Sequence, residues 1–171
     1  PFKADPDLAR VADVLAKGSS RAIVWLEHAA NGAFGQPVSL AGLDRLRHLA
    51  KERRAPLYID ATRRVENAVL LRAREDGASG MPIRAIVRES CRGAHAISAS
   101  CLKSFHAETG GFVATDDDDL ARRLEDTAVT RGDGLPGAAC EVLRQGLRFA
   151  CSDAVACDRA SQAALLHRCL R

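Results

Sequence analysis

The sequence predicts an α/β fold with a mainly parallel four-stranded sheet and helices packed on it. Three observations carry this. Short apolar runs alternate with amphipathic stretches in the order strand, helix, strand, helix, strand. The first such run, RAIVWLEH at residues 21–28, is almost continuously apolar, as a strand covered on both faces should be. The link between the third and fourth apolar runs is too short for a crossover helix, so the fourth strand is expected to be antiparallel.

Taken in order, residues 5–17 open with Asp and Pro, place Leu8, Val11, Ala12, Leu15 and Ala16 on one face, and stop at Gly18, which predicts a helix. The first strand at 21–28 leads into a glycine-rich loop at 31–36. Ser39 is the expected cap of a helix to about Arg53, with Leu40, Leu43, Leu46, Leu49 and Ala50 inward. A strand follows at 56–60, then a helix at 63–75, a turn at 78–82 and a helix at 83–90. The third and fourth strands are expected at 94–99 and 111–115. The acidic run at 116–119 reads as a helix start, with carboxylates at the positive end of the dipole. Helices are predicted at 117–130, 137–150 and 153–170, with GDGLPG at 132–137 as a tight loop.

The composition narrows the function classes. The chain has 171 residues, 47% hydrophobic and 27% charged, the balance of one folded domain. A net charge of +3 and 4% aromatics lack the basic stripe or stacking rings of a nucleic-acid binder. No apolar run reaches the roughly 20 residues of a membrane span, and no charged-then-apolar leader opens the sequence. Cys91, Cys101, Cys140, Cys151, Cys157 and Cys169 include no Cys-x-x-Cys pair. They read as thiols in a reducing, cytoplasmic setting. The spacing of Cys91, His95, Cys101 and His106 matches no usual zinc pattern.

Ligands of open parallel sheets gather outside the carboxyl ends of the strands. Three of those ends carry polar residues: Asn31 after the first strand, Asp60 ending the second, and Ser100 with Lys103 just past the third. Parallel strands share a direction, so all of these open on one edge. Each also has an ordinary reading. Asp60 could cap the next helix, Lys103 could be a solvated loop cation, and Asn31 beside Gly32 is a turn pair.

Four segments in the same order resemble the tryptophanase and tyrosine phenol-lyase family, the β-eliminating lyases that use pyridoxal phosphate. NGAFGQPVS at 31–39 resembles the family's NxxxGQPVS segment. IDATRRVENA at 59–68 is similar to its D-[AS]-x-R-x-x-ENA segment. Ser100-Cys101-Leu102-Lys103, six residues, then Gly110-Gly111, is similar to its S-x-K-K…GG stretch. Gly134-Leu135-Pro136-Gly137, with Gly146-Leu147 downstream, matches a GLAG…GL segment in spacing.

The resemblance implies an aminotransferase-like (fold type I) cofactor domain, a mainly parallel sheet with helices on both faces. Residues 1–150 would be part of that large domain, and 151–171 a helix leading toward a C-terminal small domain. Lys103 falls where the family's lysine bonds the cofactor aldehyde. Asp60 falls at the carboxylate that pairs with the pyridine nitrogen, which keeps the ring an electron sink. Asn31 and Arg63 fall at the residues that hydrogen-bond the phenolic oxygen, and Ser100 at a phosphate-binding hydroxyl. The implied reaction is β-elimination from an aromatic amino acid, giving pyruvate, ammonia and a leaving group such as indole or phenol. The implied assembly is a homo-oligomer, with neither nucleic acid nor membrane as a partner. The phosphate-cradling loop, the aromatic ring that stacks on the cofactor and the arginine for the substrate carboxylate would lie outside these residues.

The sequence also departs from the pattern. Leu102 replaces the first of two lysines, and Ala138-Ala139 replace an Arg-Asp pair. Glu108 stands where the family has an Asn that helps hold a monovalent cation, which argues against that cation site here. The alternative reading these changes raise is a non-catalytic remnant or divergent fragment of such an enzyme.

Overall fold

The computed structural model describes residues 2, 4–18, 22–103, 107, 109–150, 152–156, 158 and 161. The expectations attached to His106, Glu108, Cys151, Cys157 and Cys169, and to most of the helix at 153–170, lie outside the described residues.

The elements follow the predicted order: α1 (Leu8–Lys17), β1 (Val24–Glu27), α2 (Leu40–Glu52), β2 (Leu57–Asp60), α3 (Arg64–Arg74), α4 (Ile83–Cys91), β3 (Ala96–Ser100), β4 (Gly111–Ala114), α5 (Asp118–Arg131) and α6 (Gly137–Ala150). β1, β2 and β3 are parallel and β4 is antiparallel to β3, in the spatial order β1-β2-β3-β4. Short β3–β4 spacing therefore has the predicted effect.

Helix ends are set by side chains. Asp7 caps α1 through Arg10 N, and Asp117 caps α5 through Asp119 N and Leu120 N at 2.9 Å each. Ser39 caps α2 as predicted, its Oγ accepting from Gly42 N at 2.8 Å. Asp5, read from sequence as part of the α1 start, serves α2 instead. Its carboxylate accepts from Ser39 N and Ser39 Oγ at 2.7 Å each. Glu75 adds two bonds, accepting from Leu40 N at 2.9 Å and Ala41 N at 3.1 Å. Two carboxylates thus compensate the positive end of this one helix.

The core forms two adjoining clusters. One joins Leu46 and Ala50 of α2 to Leu57, Ile59, Val24, Leu26 and Ile97, with Leu8 and Val11 of α1. The other joins Val65, Ala68 and Leu71 of α3 to Ile83, Ile86 and Val87 of α4, with Ala99, Cys101, Phe112 and Leu143. By the pleat and the register, every strand residue in these clusters lies on one sheet face. The other face carries Trp25, Glu27, Tyr58, Asp60, Ser98, Ser100 and Val113, with Trp25 58% exposed. Trp25 stacks on Tyr58 there, with centroids 6.1 Å apart. The α/β class and mainly parallel sheet are as expected.

Cys91, Cys101 and Cys140 are free thiols. Among the described residues no helix is long and apolar enough to cross a membrane.

Candidate active site

The carboxyl ends of β1, β2 and β3 form one edge, with β2 in the centre. Asp60 closes β2, paired in register with Glu27 on one side and Ser98 on the other. It is half-buried, and its Oδ1 accepts from Thr62 N at 2.9 Å. This closes a local turn ahead of α3, whose N-cap residue is Arg63 and has no side-chain cap bond. The capping reading of Asp60 is therefore correct for the turn and not for the helix.

Thr62 does a second thing: its Oγ1 accepts from Ser100 N at 2.9 Å. One residue thus ties the end of β2 to the end of β3 and orients Asp60 and Ser100 together. The adjoining Ala61 N–H donates to Ser98 O at 2.7 Å, reinforcing the junction. Arg63, half-buried, starts the turn of helix immediately beyond.

Asn31 lies on the β1 side. The chain leaves β1 through His28, whose N–H donates to Asp60 O at 2.9 Å, then bends at Ala29 (φ 48) into a 3-10 turn over residues 31–33. Asn31 begins that turn and is exposed. Lys103 lies on the β3 side, in the turn after Ser100, and is also exposed. Its turn is anchored by buried Cys101, whose N–H donates to Gly110 O at 2.9 Å. The structure therefore joins Asp60 and Ser100 directly through Thr62. Asn31 and Lys103 stand on the flanking loops at the same edge.

Behind the edge the charge is positive. Arg64 is buried, with its guanidinium 5.7 Å from the centre of the Phe112 ring. His28 is fully buried and held at a pKa of about 4, first by burial, then by Arg64 and Arg47; Asp60 and the Ser90 backbone pull the other way. It is a neutral imidazole at pH 7. Burial pushes the Cys101 thiol up, with Arg64 opposing.

The four sequence segments are neighbours in space. Asn67, within IDATRRVENA, accepts from Val38 N at 3.0 Å and donates to Val38 O at 3.3 Å, clasping the GQPVS segment. Thr62 links the second segment to the third. A Cβ on Gly110 would lie 2.8 Å from Leu135 Cδ1, so GLPG seats directly on the paired glycines. Gly111 is required for a different reason: a Cβ there would lie 2.7 Å from Ala99 O of the neighbouring strand. Thr62 and Asn67 are roles that sequence reasoning missed. Their signal was present, as a hydroxyl two residues past a strand-terminal Asp and an amide inside ENA.

The family model for β-eliminating lyases matches residues 2–164. The chain belongs to the β-eliminating lyase family. It is 39% identical over 155 residues to a probable tryptophanase of Aeropyrum pernix, covering 86% of this chain and 33% of that protein. It is 36% identical over 154 residues to a tryptophanase of Salinibacter ruber, with 86% and 33% covered. A tyrosine phenol-lyase of Intrasporangium calvum is 33% identical over 161 residues, with 90% and 34% covered. The chain spans about a third of the length of these curated relatives.

Proposed function

We propose that this chain is the cofactor-holding part of a pyridoxal-phosphate-dependent β-eliminating lyase that acts on an aromatic amino acid, releasing pyruvate, ammonia and a leaving group such as indole or phenol. The observation that carries the reading is the gathering of a carboxylate, a hydroxyl, an amide, a guanidinium and an amine at one sheet edge, with Asp60 and Ser100 tied by Thr62. That donor set fits pyridoxal phosphate. Asp60 would hold the proton of the ring nitrogen, and Asn31 and Arg63 would donate to the phenolic oxygen. Ser100 would donate to the phosphate, and Lys103 would bond the aldehyde carbon. When bound, the cofactor supplies an electron sink for the carbanion left by loss of the α-proton. Thr62 is a positioning residue in this scheme. Residues 1–150 form part of the cofactor domain, 151–171 lead toward a further domain, and the whole enzyme is a homo-oligomer.

The test is borohydride reduction of the chain with pyridoxal phosphate, followed by peptide mapping. The expected label is on Lys103 and is lost in Lys103→Ala. A label on another lysine, or none, would overturn the reading.

A further inference from the structure

Glu27 closes β1 and stands in register with Asp60, which closes β2. Neighbouring strands lie about 4.8 Å apart, and the pleat turns both side chains to the sheet face away from the two core clusters. Two carboxylates therefore leave the sheet side by side at its carboxyl edge. On the β3 side the register partner of Asp60 is Ser98, which is uncharged. The charge beside Asp60 in this row is thus that of Glu27.

Like charges at opposed positions on one sheet face destabilise it. Both residues are half-buried, and among the described residues neither carboxylate takes part in an ion pair. Asp60 accepts from Thr62 N, whereas the Glu27 side chain has no hydrogen bond among the described residues. Packing does not call for a glutamate here either, since the β1 side chains that join the core are Val24 and Leu26. A positive charge brought to this edge would turn the repulsion between the two carboxylates into attraction for the newcomer. The lyase reading supplies such a charge, the proton-carrying ring nitrogen that Asp60 would hold. A second carboxylate one strand away adds to the field there without touching the ring, because charges in a half-buried site act beyond contact distance.

We propose that Glu27 is a positioning residue that acts through Asp60, favouring the protonated ring nitrogen of the bound cofactor, an inference that rests on the lyase reading above. It accounts for a like-charge pair that the fold itself does not use.

The experiment is a double-mutant cycle on the full 171-residue chain, with Glu27→Gln, Asp60→Asn and both together. Each protein is melted without ligand. Each is then titrated by fluorescence with pyridoxal phosphate and with its 1-deaza analogue, in which C–H replaces the ring nitrogen. Glu27→Gln keeps the shape and removes the charge. It should raise the melting temperature of the parent chain and leave that of the Asp60→Asn background unchanged. Its affinity for pyridoxal phosphate should fall about three- to ten-fold, with no further loss in the Asp60→Asn background. Affinity for the deaza analogue should not fall, because that ring carries no proton at this position. Glu27→Asp, which retains the charge, should restore most of the affinity. Equal affinities of the parent chain and Glu27→Gln for pyridoxal phosphate, or an equal loss for both ligands, overturn the proposal. So does a lower melting temperature in Glu27→Gln, which would show that the fold needs this carboxylate. A parent chain that binds pyridoxal phosphate no more tightly than Asp60→Asn has a different meaning: it overturns the lyase reading, and this proposal with it.

Discussion

Asn67 holds Val38 by both of its main-chain polar groups. Its Oδ1 accepts from Val38 N at 3.0 Å and its Nδ2 donates to Val38 O at 3.3 Å, with both residues fully buried. An extended segment without a strand partner is thereby satisfied by one amide side chain. Asn67→Ala would leave both groups of Val38 buried and unpaired, at a cost of about 2–4 kcal/mol. Urea denaturation should show that loss. A change under about 0.5 kcal/mol would mean that water replaces the amide.

Thr62→Val keeps the shape of the side chain and removes the acceptor for Ser100 N. The expected loss is about 1–3 kcal/mol of stability. Capture of pyridoxal phosphate at Lys103 should weaken as well, since Asp60 and Ser100 lose their common brace. Thr62→Ser retains the oxygen and should restore most of both. Fluorescence titration of cofactor binding across the three proteins checks this. Equal affinities would remove Thr62 from any positioning role.

Gly111→Ala would drive a methyl group to 2.7 Å from the Ala99 carbonyl oxygen, which is main chain and has little room to yield. Overpacking of this kind costs about 1–3 kcal/mol, and here it would splay β4 from β3. Gly110→Ala meets a flexible leucine methyl group but sits at φ 89, so it is strained through its backbone. Amide exchange should report opening local to β3 and β4 in the first variant.

His28 gives a pH dependence of definite sign. Its pKa is about 4 in the fold, below the ordinary value of 6.5, through burial first and then Arg64 and Arg47. The unfolded chain therefore binds the proton more readily. The stabilisation is fully present above about pH 6.5 and is lost as pH falls toward 4, amounting to roughly 3 kcal/mol. His28→Phe should flatten that part of the stability profile relative to the parent chain. Parallel profiles for the two proteins between pH 7 and 4.5 would exclude His28 as the source.

Much of the fold was legible because its determinants are local. Apolar periodicity located every described helix and strand to within a few residues, and Ser39 and the acidic run at 116–119 announced their helices by chemistry that acts within one turn. What escaped depends on the third dimension. Asp5 stands next to α1 in sequence yet caps α2, because its bond to Ser39 spans 34 residues that no local pattern encodes. At the candidate site, Asp60, Ser100 and Lys103 could be placed at one edge from strand direction alone. The Thr62 brace could not: a hydroxyl two residues past a strand-terminal Asp marks the position, but its partner lies 38 positions away.

The strands stand in the sheet in the order in which they occur in the chain. During synthesis β2, β3 and β4 therefore each meet a partner that has already left the ribosome. Each parallel pairing closes a crossover through a helix, Val24 with Leu57 and Tyr58 with Ala96, and the β3–β4 closure is the shorter one. The residues from Asn31 to Lys103 are laid down in the same succession, so the edge that carries the candidate site is assembled from one side to the other as the polypeptide emerges.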